Sequence, residues 1–166
     1  MINDAMLIVF GGLPGTGKTT IAREVARSTG AVYLRIDSIE QPLFAAGWPV
    51  EGVGYRVAQN IAVDLRLGRI VLADCVKPWP LTRDEWRSAG ERAGARVLEV
   101  EFVCSDVAEH RRRVESRIAD IDGRRVPTWH GVVERDYRPW DRERLVIDTA
   151  HLTVEESVGR IIASSR

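Results

Sequence analysis

Residues 6–20 read MLIVFGGLPGTGKTT, and the order of apolar run, glycine-rich turn and lysine in this stretch decides the fold. Within it, Gly12 to Thr19 (GLPGTGKT) satisfies the phosphate-loop (P-loop) pattern G-x-x-x-x-G-K-[ST] in full. Met6 to Phe10 is a short continuous apolar run, as expected of a strand buried on both faces. After the loop, Thr19 to Ser28 places Ile21, Ala22, Val25 and Ala26 on one helical face, and Gly30 closes that helix. A buried strand before the loop and an amphipathic helix after it are the context in which this pattern cradles a nucleoside triphosphate.

The residues of the loop take different tasks. Gly12, Gly15 and Gly17 remove side chains that would block an anion from the backbone N–H groups, and the helix N-terminus adds its own unpaired donors. Pro14 restrains one side of the loop through its fixed φ. Lys18 reaches the β and γ phosphates, Thr19 offers a hydroxyl to Mg2+, and Thr20 is placed near the α phosphate. The nucleotide-binding set thus runs from Gly12 through Leu13, Pro14, Gly15, Thr16, Gly17, Lys18 and Thr19 to Thr20. Lysine is otherwise nearly absent: Lys77 is the single other one among many arginines. A compact point charge at Lys18 differs physically from a planar guanidinium fork.

Outward from this stretch the chain alternates strand and helix. Ala31 to Ile36, Arg69 to Ala73, Arg96 to Val103 and Leu145 to Ile147 read as further strands. Helices are expected over Ser38–Ala46, Tyr55–Leu67, Thr82–Ala93, Asp106–Ile121, His130–Tyr137 and Thr153–Ile162. Val57, Ile61 and Leu65 are the expected apolar stripe of the Tyr55 helix. This pattern predicts an α/β fold, a P-loop NTPase three-layer sandwich with a central, mostly parallel five-stranded sheet. Right-handed crossovers bring the carboxyl ends of the strands to one edge, so Gly11, Asp37, Asp74, Cys104 and Asp148 converge there.

The 166 residues suit one domain, 45% are apolar and 29% charged, and the formal net charge is +0. Neutrality gives no global pull toward a polyanion, so nucleic acid enters only as a locally bound end. Two isolated thiols, Cys75 and Cys104, make neither a disulfide framework nor a metal knuckle, which points to a reducing cytoplasm. Met1 to Phe10, with Asp4 early and glycines at its end, is unlike a signal peptide, and no apolar run approaches membrane-spanning length.

Two carboxylates follow strands. Asp37, in LRIDSIE, is read as general base or hydroxyl-orienting group for an acceptor, or as the cap of the helix from Ser38. Asp74, ending RIVLAD, is read as a Mg2+ carboxylate, or as a turn cap or partner of Lys77. Lys77 is read as a substrate contact or a solvated turn lysine, and His130 as a surface histidine or a donor to an acceptor. The loop from Gly47 to Tyr55, with Trp79 and Trp86, either lines an acceptor pocket or fills gaps between helices and sheet, and Arg56 is a candidate for an acidic substrate group.

From Glu109 the chain reads EHRRRVESRIADIDGRRVPTW. Val107, Val114, Ile118 and Ile121 give this helix an apolar side, and Arg113 and Arg117, four apart, point together. Residues 107–127 are therefore expected to form a short arginine-rich lid, with Arg113 on the nucleotide and Arg117 on the transferring phosphate. The alternative is a solvated helix held by Glu109–Arg113 pairing. Asp148 and Thr149 form either a wall of the nucleotide base site or a local cap.

GLPGTGKTT, LRIDS, VLADC, RRRVESR and VIDTA together resemble the AAA_33-type P-loop kinase family, similar to polynucleotide kinases, chloramphenicol phosphotransferase and zeta-toxin-like kinases. The resemblance implies Lys18 and Thr19 for phosphate and magnesium, Asp37 as acceptor-side base, and Arg113 and Arg117 in the lid. The expected activity is transfer of the γ-phosphoryl group of ATP, with Mg2+, to a hydroxyl of a small molecule. A P-loop switch NTPase and a 5′-hydroxyl nucleic acid kinase are the alternatives.

Overall fold

The computed structural model describes residues 5–64 and 69–166. Five strands, β1 (Met6–Gly11), β2 (Val32–Arg35), β3 (Ile70–Asp74), β4 (Arg96–Val103) and β5 (Leu145–Asp148), form one sheet in the order β2-β3-β1-β4-β5. Every pairing is parallel, with Phe10 opposite Asp74 and Val100 in its two ladders. β1, in the middle, is buried along its whole length, which is why it reads as an unbroken apolar run.

Alternate side chains of β1 feed two cores. Met6, Ile8 and Phe10 pack with Ile21, Val25, Val158 and Ile161, so helices α1 (Lys18–Thr29) and α7 (Val154–Ser164) cover one face. Leu7 and Val9 pack with Ile36, Ala58, Ala62 and Trp86, which puts α2 (Ile36–Ala45), α3 (Val53–Asp64) and α4 (Pro80–Arg92) on the other. Each buried Ile or Leu side chain contributes about 1.5–3 kcal/mol, so these layers set the relative positions of the strand ends. α5 (Val107–Glu115) and α6 (Trp129–Val133) follow β4.

Several expected details differ. α3 turns Gly54, Ala58, Gln59 and Ala62 inward and leaves Val57 and Ile61 exposed, because the layer it covers already holds the indole of Trp86 and small residues permit the approach. Leu65 and Leu67, and residues 1–4 of the opening stretch, lie outside the described residues. Trp86 is fully buried in the core, so it fills the helix–sheet layer. β2 passes directly into α2 with Arg35 as N-cap, which leaves Asp37 inside the first turn. α5 stops at Glu115, six residues short of Ile121, and Val107 and Ile118 are exposed while Val114 and His110 are buried. Arg113 and Arg117 therefore do not share a helical face.

Candidate active site

The P-loop joins β1 to α1, and Gly12, Gly15 and Gly17 all have positive φ, at 139, 83 and 85°. Their task is partly different from clearing an anion path. A Cβ on Gly12 would run into the Phe102 carbonyl oxygen, and one on Gly15 would lie 2.5 Å from Val114 Cγ2. The loop is pressed against β4 and α5, and only glycine combines that contact with a left-handed backbone. Gly17, in the left-handed region, is the N-cap of α1 and makes no side-chain cap bond, so the first N–H groups of α1 have no side chain competing for them.

Inside the loop, Leu13 O accepts from Thr16 Oγ1 at 2.8 Å and from Lys18 Nζ at 3.0 Å. Lys18 is 8% exposed, and burial pulls its ammonium pKa down against the opposing pull of Asp74 and Asp37. Thr19 Oγ1 donates to Asp74 Oδ2 at 2.8 Å, and Tyr33 OH donates to the same oxygen at 2.7 Å. Burial, followed by Asp74, pushes the Tyr33 phenol far up, so it stays a donor. The expected Thr19 and Asp74 pair is thus brought together, and its hydroxyl and carboxylate are the hard oxygen donors that magnesium prefers. Among the described residues no cluster of three or more His, Cys, Asp or Glu side chains gathers for a metal.

Two cavities open on this loop. Gly15, Gly17, Thr20, Arg113 and Arg117 line one with Lys18 and Thr19, at the α1 N-terminus. The other contains Pro14, Lys18, Asp37, Asp74, Arg117 and Arg124. Arg113 and Arg117 reach the site, but by different routes. Arg113 stays on α5, donating to Glu109 at 2.7 Å and to Thr149 Oγ1 at 2.8 Å, whereas Arg117 lies in the irregular chain after it.

Asp37 is 28% exposed at its side chain, with Arg124 at 2.6 Å and Arg35 at 3.6 Å. It also lines a third cavity, of about 440 Å³, bounded by Tyr55, Val76, Pro78 and Trp79. Arg56 and part of the Gly47 to Tyr55 loop, Val50 to Gly52, line that cavity, whereas Trp48 is exposed on the surface.

Several further residues support the site. His110 is buried, its Nε2 2.8 Å from Pro14 O and its ring edge-on to Trp129. Thr149 Oγ1 donates to Thr16 O at 3.0 Å, so α5 and the turn after β5 both grip the loop. Asp148 caps locally, accepting from Ser105 N and Ala150 N at 3.1 Å each. Arg35, 5% exposed, forks onto Asp120 at 2.8 and 3.0 Å, and Arg23 joins at 2.9 Å. This clasp pulls the chain after α5 across the site and accounts for the early end of that helix. The hydrogen bond from Arg35, ahead of its charge, holds the Asp120 carboxyl far below the usual range.

Lys77 is neither solvated nor a partner of Asp74. It is wholly buried at φ 55°, ion-paired with Glu99 and 4.9 Å from the centre of the Trp140 ring. Its neighbour Val76 O accepts from Gly12 N at 2.9 Å, so this buried pair backs the P-loop from beneath. His130 is exposed as expected, 2.9 Å from Glu134.

A parallel α/β sheet with a glycine loop, a buried loop lysine and a threonine–aspartate pair at its carboxyl edge defines a P-loop nucleotide-binding domain. The model of an AAA domain family, AAA_33, matches residues 7–131, and the chain belongs to that family. No curated protein matches it. Among solved structures, the Mycobacterium tuberculosis APS kinase CysC in complex with AMPPNP and APS is 19% identical, with TM-score 0.74 and 96% of each chain covered. A sugar kinase from Janibacter sp. is 17% identical at TM-score 0.68, covering 96% of this chain and 92% of its own. A gluconokinase from Sinorhizobium meliloti is 20% identical at TM-score 0.62, covering 95% and 90%. These three share the fold of this chain, and none of them is a polynucleotide, chloramphenicol or zeta-toxin-like kinase. Among the described residues no helix is long and apolar enough to cross a membrane.

Proposed function

We propose that this chain is an ATP-dependent phosphotransferase that moves the γ-phosphoryl group to a hydroxyl of a small molecule. The observation that carries the reading is the position of Asp37, which lines both the cavity of Lys18 and Asp74 and the separate cavity of Tyr55 and Trp79. A switch NTPase needs the first cavity alone, whereas a transferase needs two that meet at a carboxylate. The APS, sugar and gluconokinase likenesses accord with such an acceptor.

In this reading the loop N–H groups and the α1 N-terminus hold the triphosphate, and Lys18 neutralises charge on the moving phosphoryl group. Thr19 and Asp74 hold Mg2+, which when bound supplies positive charge to the phosphate oxygens. Asp37 orients the acceptor hydroxyl and takes its proton. Arg117 faces the transferring phosphate and Arg113 the nucleotide, and residues 107–127 form the lid. In that lid, α5 is the fixed part, tied through His110 and Arg113, and the chain after Glu115 is the part that closes. Closure keeps water from the phosphoryl group. Two buried free thiols suit a reducing cytoplasm.

The test is an acceptor screen with γ-labelled ATP and Mg2+, comparing the intact chain with Asp37→Asn and Lys18→Ala. Acceptor-dependent label transfer that disappears in Asp37→Asn while nucleotide binding persists is the expected result. Hydrolysis indifferent to every acceptor would favour the switch reading.

A further inference from the structure

The cavity beyond Asp37 is uneven in its polarity. Its walls are apolar and aromatic, from Val50, Tyr55, Val76, Pro78, Trp79 and Leu81. Their few neutral polar groups already have partners in the protein. Tyr55 OH accepts from Lys77 N at 3.3 Å, Thr82 Oγ1 donates to Trp79 O at 2.8 Å, and Trp79 Nε1 donates to Asp136 at 3.1 Å. The neutral wall offers a polyhydroxylated ligand little beyond the Tyr55 hydroxyl, and its apolar area would go unused by such a ligand.

Charge is what remains to select a ligand. Asp37 is matched by Arg124, and the two cancel locally. Arg56, Arg135 and Glu51 are exposed at the rim, where solvent and salt screen them. Glu40 and Glu85 are the half-buried charges of the interior. Among the described residues the Glu40 carboxylate makes no hydrogen bond or ion pair, and Glu85 has Gln59 Nε2 at the outer limit of 3.5 Å. Burial, then Asp37, pushes the Glu40 carboxyl upward, and Arg124 and Arg135 pull it back only in part, so its charge is incompletely compensated within the protein.

Resting on the phosphotransferase reading, we infer that the acceptor is an amino alcohol with an aromatic or other apolar body, its hydroxyl presented to Asp37 and its protonated amine drawn to Glu40 and Glu85. An ammonium group supplies the missing counter-charge through charge-assisted bonds, while the body stacks on Trp79 and Tyr55. A carboxylate- or sulfate-bearing acceptor meets repulsion from the same two groups. This separates the acceptor from anionic and from polyol substrates on a fold that accommodates both.

Three compounds with the same ring and benzylic hydroxyl test the charge: phenylethanolamine, styrene glycol and mandelate, respectively cationic, neutral and anionic. Each is titrated into the full chain with Mg2+ and a nonhydrolysable ATP analogue, and then offered with ATP while phosphorus NMR follows transfer. Phenylethanolamine is expected to bind about tenfold tighter than styrene glycol, which is ~1.4 kcal/mol, with mandelate weakest. The Glu40→Gln/Glu85→Gln double variant should bring the first two within about threefold of each other, while nucleotide affinity stays unchanged. Equal binding, a preference for mandelate, no binding of any of the three, or a preference that survives the double variant overturns the assignment. Nucleotide uptake in the same titrations separates the two levels: if the analogue binds and the charge order is wrong, the acceptor class alone fails. If the analogue does not bind, the phosphotransferase reading fails with it.

Discussion

Asp37 and Arg124 lie 2.6 Å apart where the cavity of Lys18 and Asp74 meets that of Tyr55 and Trp79, one from the first turn of α2 and the other from the irregular chain after α5. The carboxylate read as orienting the acceptor is therefore also where that crossing chain attaches. In the proposed reaction, closure over nucleotide and positioning of the acceptor would share one ion pair.

Replacing Asp37 by Asn removes the proton acceptor and keeps the shape. Acceptor-dependent turnover should fall by about 10²–10⁴-fold, with the ATP dissociation constant changed little. Steady-state kinetics with calorimetry reads both, and a normal turnover number in the variant would remove Asp37 from the mechanism.

Lys18 carries a cost in the folded protein, at the position where the proposed reaction needs its charge. Burial lowers its pKa, so between that lowered value and the ordinary lysine value the unfolded chain binds more protons, and stability rises with pH across this window. Lys18→Met should abolish transfer yet raise the melting temperature at neutral pH by ~2–4 °C, equivalent to about 1 kcal/mol. Thermal melts without nucleotide decide this, and a lower melting temperature contradicts it.

The Lys77–Glu99 pair, shared with Arg87 at 2.7 Å, should behave as a buried ion pair does. Lys77→Met alone leaves Glu99 short of a partner and is expected to cost about 3–5 kcal/mol in urea unfolding. Lys77→Met/Glu99→Met should recover a good part of that loss. A double variant as unstable as the single would show that shape at φ 55° matters more than charge.

Asp120 ties the crossing chain to Arg35 and Arg23. Its carboxyl is held below the usual range, so the stability it adds is present above the ordinary carboxyl pKa and is lost as pH falls through the lowered folded value. Asp120→Asn should flatten the acid limb of the stability profile. It should also raise futile ATP hydrolysis relative to transfer by roughly tenfold through loss of closure. An unchanged hydrolysis-to-transfer ratio would detach this clasp from closure.

The sequence by itself determined the strand alternation, the parallel sheet and the loop, because a run buried on both faces and a glycine-spaced lysine are local patterns. Gly12 to Thr20, Asp37 and Asp74 were legible for that reason, standing at strand ends that the topology must gather. Tertiary structure alone decided what those patterns leave free. His110, Arg35, Asp120 and Lys77 act through partners distant in the chain, from Pro14, Asp120 and Glu99 to the rings of Trp129 and Trp140. The face of α3 and the end of α5 escaped the periodicity because packing space beneath one helix, and a clasp of two arginines on one carboxylate beyond the other, outweigh intrinsic helical preference.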